Sequence, residues 1–532
     1  MKTLIRISGY VSVLLLLHGY AYAQLPTMSS IEKAKETSLW FAGSGNAAGM
    51  TVDQTIHTNE LTASYDHSSG KFKRLQTGDT ESEISFKTQG GGKIGGTYLW
   101  GNFGYGRRDK KGTQWNTNMV NPHRDLPFYM ADPKSSDWEV DVYAMNMKLS
   151  FPFLFGDKLA FGISVDYLAE LGGKLVYPTG APDFHSFDVR PGLVYRLSPS
   201  IFVGLSGQYL NMSERSSHST DMIPEEVRLM RGLGFSSFGI IDTWNIMNSF
   251  SLKELWGGEL QLGAKNEDAH LLLAAGYRNS VDEAFTRSRN VLDQSSFFAE
   301  HVGALLCRQL YMNLSATLNV EGNIHLIKAG VNNAYRRGVE GTEVMETKDP
   351  ERSALGTYVM KDQSVRSTYD HWDVQASYDY FKGKSDDDYL WRAGAFIRYD
   401  SDKDDYLSPI GRQHWSRLDI GLNLKYNVTL NSESFMLIGV NALNHSNLSK
   451  DFAYEGPEDT PDVVNGFVIP DFEYRTSKFY TFGVSIAYTI QMKKMAHFVC
   501  ADIGRIAANN ADKTGKQNTS RTVFSVKLGL CF

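Results

Sequence analysis

The sequence predicts an all-β fold: a transmembrane, antiparallel, up-and-down β-barrel of about eighteen strands, with sixteen as the alternative count. Three observations predict it. Segments of about ten residues alternate between apolar and polar side chains, as barrel strands must. Tight turns and long polar stretches take turns between those segments. Tyr 27, Phe 29 and Gly 48 stand against only Pro 15, a composition suited to pleated strands and interfacial aromatic girdles. A bilayer interior satisfies no backbone hydrogen bond, so a crossing chain must be helical or a closed sheet. Past the N-terminus no run of about 18 apolar residues occurs, which leaves the closed sheet. A soluble chain of 532 residues would ordinarily divide into several domains, whereas one barrel can absorb it.

Taken in order, residues 1–23 read as a signal peptide. Lys2 and Arg6 supply the positive start, Val11 to Leu17 the apolar core, and Ala21-Tyr22-Ala23 the cleavage site before Gln24. Residues 24–58 fit no strand and are expected to form a partly ordered plug or a periplasmic segment. The barrel is expected over 59–532. Its first strands fall near 59–68, 80–89, 93–108, 138–152, 158–170, 184–197, 201–212 and 255–265. In the fifth, Leu159, Phe161, Ile163, Val165 and Tyr167 share one face, with Ala160, Gly162, Ser164 and Asp166 on the other. Further strands fall near 270–287, 296–312, 324–340, 366–381, 388–401, 414–429, 434–447, 475–491, 495–507 and 521–532. Leu418, Ile420, Leu422, Leu424, Tyr426 and Val428 oppose Asp419, Gly421, Asn423, Lys425 and Asn427. Trp372, Val374, Ala376, Tyr378 and Tyr380 likewise face away from Asp373, Gln375, Ser377 and Asp379. The stretch from Phe297 to Val320 lacks an internal break and is the weakest assignment.

Phe155-Gly156-Asp157-Lys158, Leu197-Ser198-Pro199-Ser200, Glu321-Gly322-Asn323 and Asn431-Ser432-Glu433-Ser434 read as short periplasmic turns. Asp109–Asp137, Met212–Leu252, Glu340–Val365, Ser449–Tyr474 and Ala508–Ser520 read as long extracellular loops.

In the last strand Phe524, Val526, Leu528, Leu530 and Phe532 alternate with Ser525, Lys527, Gly529 and Cys531. Here the chain resembles outer-membrane proteins generally, whose terminal strand and final aromatic are read by the barrel-assembly machinery. The resemblance implies that Phe532 is an assembly signal and that location is the outer membrane of a Gram-negative bacterium. Ser38-Leu39-Trp40-Phe41-Ala42-Gly43-Ser44-Gly45-Asn46, Trp115-Asn116 and Asp125-Leu126-Pro127-Phe128-Tyr129 resemble segments of large Bacteroidota outer-membrane barrels of unassigned function. That likeness implies architecture and location, without an activity.

Several motifs fall away on inspection. Gly43-Ser44-Gly45-Asn46-Ala47-Ala48 copies a dinucleotide fingerprint but lacks the strand before and the helix after it. Gly90-Gly91-Gly92-Lys93-Ile94-Gly95-Gly96-Thr97 lacks the magnesium-binding hydroxyl after its lysine, and reads as a glycine-rich turn. His123-Arg124-Asp125 copies a kinase tripeptide without its partners. His185, His301, His371, His414 and His445 are expected to be scattered polar residues, with no metal-ligand cluster among them. Cys307, Cys500 and Cys531 have neither disulfide-framework nor zinc spacing, and are expected to pack unpaired. A net charge of −6 gives no support to nucleic-acid binding.

No catalytic, cofactor or metal residue is assigned. The candidate lumen-lining residues are Asp373, Asp379, Arg392, Arg398, Asp400, Arg417, Asp419 and Lys425, which fall on inner positions of neighbouring strands. Facing charges in a water-filled lumen tune selectivity, although a locally cancelling network is the plainer reading. The expected function is a pore or transport route for a small polar or amphipathic solute. The alternatives are a surface receptor or scaffold whose loops bind a partner, and a barrel-embedded lipid or ester hydrolase. Expected partners are outer-membrane lipid, the assembly machinery, and a solute or surface lipoprotein.

Overall fold

The computed structural model describes residues 26–53, 59–124, 126–219, 225–242, 246–289, 297–346, 357–385, 387–456, 463–492, 495–508 and 519–532. The expected signal peptide at 1–23, and Asp125 of the kinase-like tripeptide, lie outside them.

Eighteen strands form one sheet in which each pairs antiparallel with its neighbours in sequence. The strand Glu60–Gly70 pairs with Thr80–Ile94 on one side and with Ser520–Cys531 on the other, so the sheet closes. At this seam Leu61 faces Leu530, Ala63 faces Leu528 and Tyr65 faces Val526. Asn59 and Phe532 finish it by exchanging backbone hydrogen bonds of 3.3 and 3.1 Å. Closure removes the edge strands that an open sheet would leave unpaired. All eighteen expected segments are strands, and Phe297–Val320 is one continuous strand of 24 residues.

The alternation translates into two faces. Outward positions carry exposed apolar side chains, among them Leu422 at 61% and Trp256 at 64% exposure, with Ile420, Leu424, Tyr426, Trp372 and Val374. Inward neighbours such as Asp419, Arg392 and Asp400 are buried.

The strands run further than the alternation predicts, mostly toward the long loops, although Thr80–Ile94 and Phe297–Val320 lengthen toward their short turns. The expected 201–212 is Ile201–Ser219, and the expected 366–381 is Thr357–Gly383. Part of several expected loops is therefore ladder, as at Met212–Ser219 and Thr357–Val365. The cause is that a strand with water on both sides needs no apolar face, so its period-two signal fades while its backbone pairing continues. At the other end, the glycine-rich turn is narrower than expected. Gly90 to Gly92 belong to the strand Thr80–Ile94, and only Gly95 and Gly96 turn, with φ of 57° and 89°. A two-residue hairpin with positive φ at both positions calls for glycine at each.

Three of the long connections fold further. Tyr129–Ala131, Glu225–Arg231 and Ser236–Asp242 form a separate three-stranded antiparallel sheet. Within the expected loop Ser449–Tyr474, Pro470 sits in the first turn of a helix, Ile469–Arg475, where its missing N–H costs nothing. The next strand accordingly starts at Phe479 rather than 475. The thiols of Cys307, Cys500 and Cys531 are unpaired, and the last two pack in a cluster with Ile31 and Phe498.

Candidate functional site in the barrel interior

Residues 27–53 lie inside the barrel at its short-turn end. Thr27 caps the first helix, Met28–Thr37, by a reciprocal box with Ser30, which satisfies amides the helix cannot bond internally. Two short helices, Leu39–Gly43 and Met50–Asp53, follow, separated by a 3₁₀ turn at Ala47–Gly49. Asn46 holds that turn: its Oδ1 accepts from the Ala48 amide, and its Nδ2 donates to the Leu193 carbonyl at 2.8 Å and to Gln261 Oε1 at 3.1 Å. The glycine-rich Gly43–Ala48 segment thus serves as a docking turn against the wall.

The wall is cut to receive it. A Cβ on Gly162 would lie 2.2 Å from the Ala48 nitrogen, and one on Gly263 would lie 2.7 Å from Trp40 Cζ2. Only glycine permits such approach. Trp40 fills the resulting seat at 1% exposure, in a cluster with Leu39, Val194, Phe202 and Leu272. Burying an indole this fully is worth ~3–5 kcal/mol against alanine.

Ion pairs fasten the rest. Glu32 accepts from Arg392, from Lys425 Nζ at 2.9 Å and from the Tyr389 hydroxyl at 3.2 Å. Lys328 bonds Glu36 at 2.5 Å, and Lys35 bonds Glu60 at 2.7 Å. Lys33 donates to the Ser385 and Asp388 carbonyls. At the segment's end, Asp53 accepts from the Phe41 amide at 2.8 Å, with His270 Nδ1 at 3.8 Å. Burial pushes the Asp53 carboxyl up to about 7, against the pull of that amide and of Lys265.

The eight candidate residues all lie on this inner wall, and they divide into two groups. Near the N-terminal segment, Arg392 Nε donates to Asp379 at 2.8 Å, and Arg392 and Lys425 share Glu32. Toward the long loops, Arg398 Nε donates to Asp373 at 2.8 Å, Arg417 meets Asp400 at 2.5 Å, and Asp419 meets His445 at 2.5 Å. The charges are therefore paired side by side. Glu32 is the member that strand alternation misses, because it sits on a helix 360 residues away in sequence from Arg392.

At the long-loop end the three-stranded sheet and the segment at 463–477 pack on a core of Trp115, Phe128, Met130, Met230, Phe235 and Phe467. Buried charges brace it. Lys174 and Asp132 pair at 2.9 Å with both side chains 1% exposed, and Thr117 donates to the same carboxylate at 2.8 Å. Arg74 grips Asp471 through Nε and Nη2 at 2.6 and 3.0 Å, and Arg475 adds a contact at 2.8 Å. Burial alone would raise the Asp471 carboxyl; Arg475 and Arg74 outweigh it and hold it at about 2. His123 lies beside them, pushed down to about 3 by burial and so neutral near pH 7. Arg124 pairs with Glu214 at 3.2 Å. The His123-Arg124 pair of the kinase-like tripeptide is thus structural bracing for the loops.

A hydrolytic relay is not assembled among the described residues. Ser249 Oγ lies 3.2 Å from His218 Nε2, but His218 Nδ1 is buried with no hydrogen-bond partner, so nothing orients the imidazole as a base. Ser213 and His185, 2.9 Å apart, alternate with inward Asp188 and Glu214 and so face outward.

The model of a family of unknown function, DUF6850, matches residues 47–532, and the chain belongs to that family. No curated protein matches the sequence. Among solved structures, a FadL homologue of Pseudomonas aeruginosa is 11% identical, with a TM-score of 0.34 over 96% of this chain and 99% of that one. The ferric preacinetobactin receptor BauA of Acinetobacter baumannii is 10% identical, with a TM-score of 0.34 over 88% and 79%. The outer membrane transporter YddB of Escherichia coli is 7% identical, with a TM-score of 0.39 over 89% and 81%.

Proposed function

We propose that this member of a family without assigned function is an outer-membrane barrel of a Gram-negative cell that passes a small polar or amphipathic solute, gated by its own N-terminal segment. In this reading residues 1–23 direct export, the short turns face the periplasm, and residues 24–58 are a plug. The apolar outer face supports a membrane setting, since lipid-facing positions must be apolar. One observation supports the gating: the wall is polar, and its short-turn end carries a segment held through one tryptophan seat and replaceable ion pairs. Such contacts make a closure that can leave without unfolding the barrel.

Conductance in planar bilayers tests this. The purified protein is expected to be nearly silent, and a variant lacking residues 26–53 is expected to conduct. Two silent proteins, each shown to be folded, would remove the pore reading.

A second reading, a surface receptor, draws on the loops having a hydrophobic core of their own. A preorganised loop surface binds at lower entropic cost than a mobile one. It predicts that replacing 463–477 by a short linker abolishes capture of a surface partner while the barrel still assembles. Unchanged capture would count against it.

A further inference from the structure

The geometry points to a binding site for one divalent transition-metal cation of the zinc or copper type, formed by His371, Asp400 and Asp402 on the inner wall. The strands Thr357–Gly383 and Tyr389–Leu407 pair so that His371 stands directly opposite Asp402, while Asp373 stands opposite Asp400. Directly opposed side chains on one face of an antiparallel pair are about 5 Å apart at Cβ, and diagonal ones are still within reach. This register brings one imidazole and two carboxylates together from positions about thirty residues apart in sequence.

The distances suit a shared ion. His371 Nδ1 is 2.9 Å from Asp402 Oδ1 and 3.5 Å from Asp400 Oδ1, and one ligand atom from each residue lies within 4.8 Å of the others. Bonds of about 2.0 Å in a tetrahedral set place neighbouring ligand atoms ~3.3 Å apart, between those two distances. Small side-chain rotations bring the three atoms onto one centre, with the fourth position left to water.

A second observation is independent of that spacing. Asp400 is 3% exposed at its side chain, and its Oδ1 is buried without a hydrogen bond. With only the His371 ring at 3.5 Å beside it, an acceptor that makes no hydrogen bond is costly unless something fills its place. Its other oxygen is held by Arg417 at 2.5 Å, with Arg398 at 3.8 Å. Such bonding orients a carboxylate ligand from behind, as outer partners of metal ligands do. His371 is part-exposed at 22% and the Asp402 side chain keeps 12%, so an ion in the interior water reaches the site from the His371 side. On binding, the cation takes the Nδ1 lone pair, and the proton that Nδ1 shares with Asp402 leaves to solvent. An imidazole beside two carboxylates favours zinc, copper or nickel over calcium and magnesium, which prefer all-oxygen sets. The site does not depend on the barrel conducting, so the two readings fail separately.

The test uses the full-length barrel in detergent, stripped with a chelator, and titrated with Co²⁺ followed by Zn²⁺ competition. Visible absorption and calorimetry read the binding. The expected result is one Zn²⁺ per chain, with affinity lowered at least tenfold in both His371→Gln and Asp402→Asn. His325→Gln, whose histidine lies near the short-turn end, is expected to bind as the parent does. Heat-modifiable migration checks that each variant is folded. Absence of stoichiometric binding in the parent, or undiminished binding in a folded His371→Gln protein, overturns the site.

Discussion

Adding one methyl group to the barrel wall at Gly263 should loosen the N-terminal segment without changing its sequence. The new Cβ would stand 2.7 Å from Trp40 Cζ2 and 3.2 Å from both Cε2 and Nε1. Carbon atoms rest about 3.5–4.0 Å apart, so the overlap approaches an ångström. Trp40 cannot swing aside: Cβ atoms built on Gly49 and Gly204 would lie 2.3 and 3.0 Å from its ring, and it is 1% exposed. Overpacking of this kind costs ~1–3 kcal/mol. The cost falls on the docked state alone, so the released population should rise roughly 5- to 150-fold. Trypsin reads that population, because Lys33 is buried against the Ser385 and Asp388 carbonyls while docked. When opening is fast relative to cleavage, the cutting rate tracks the open fraction. Cleavage after Lys33 in Gly263→Ala should accelerate by that factor while the barrel keeps its heat-modifiable migration. Trp40→Ala alone should accelerate it further, by removing ~3–5 kcal/mol of buried contact. In the Trp40→Ala background, Gly263→Ala should then add almost nothing, since the clash has no partner. An unchanged rate in Gly263→Ala, or an equal acceleration in both backgrounds, would refute the seat.

Glu32→Gln removes the charge shared by Arg392, Lys425 and Tyr389, and should weaken docking by ~1–3 kcal/mol, read as faster cleavage after Lys33. Asp53 holds its proton up to about 7 when docked but only to about 4 when released, so its own contribution to docking is full below pH 4 and is lost as pH rises through 7. Oxidative footprinting of Trp40 should therefore be heavier at pH 8 than at pH 5, and Asp53→Asn, with His270 and Lys265 still beside it, should flatten the difference. Leu422→Arg places a charge on the outward apolar band and should cost ~2–4 kcal/mol in a reversible folding titration into lipid vesicles; a cost near zero would argue against that residue meeting lipid. Deleting Phe532 removes the reciprocal backbone pair with Asn59 at the seam and should lower the yield of heat-modifiable barrel in the membrane fraction.

The barrel was legible because the medium outside a barrel wall acts on every residue of a strand separately. Leu418 to Val428 alternates without a fault, since each apolar side chain answers to the same outer medium whatever its neighbours are. Once a strand leaves that medium the constraint lapses. Lys361 to Arg366 and Met212 to Ser219 continue the ladder of their apolar neighbours, yet their composition is largely that of a loop. The helix at Ile469–Arg475 had a signal in Pro470 and the apolar residues from Val463 to Phe472, which the expectation of a plain loop passed over.

The interior was legible only in part, because its contacts are pairwise and long-range. Alternation assigns Arg392, Arg398 and Arg417 to the inner wall, but it cannot choose their partners. Glu32 answers Arg392 from a helix, and Asp400 answers Arg417 through a strand register. His371 illustrates the limit most directly. Read alone it is one more scattered histidine, and a one-residue slip between its strand and the next would turn Asp402 to the outer face. The register is fixed by the apolar residues on that outer face, where Trp372 pairs with Ser401 and Val374 with Tyr399. The outward positions therefore determine which polar groups meet inside, although they touch none of them. Gly263 follows the same logic. It marks an inner position in the sequence, and its meaning as the seat of Trp40 appears only when the wall and the N-terminal segment are placed together.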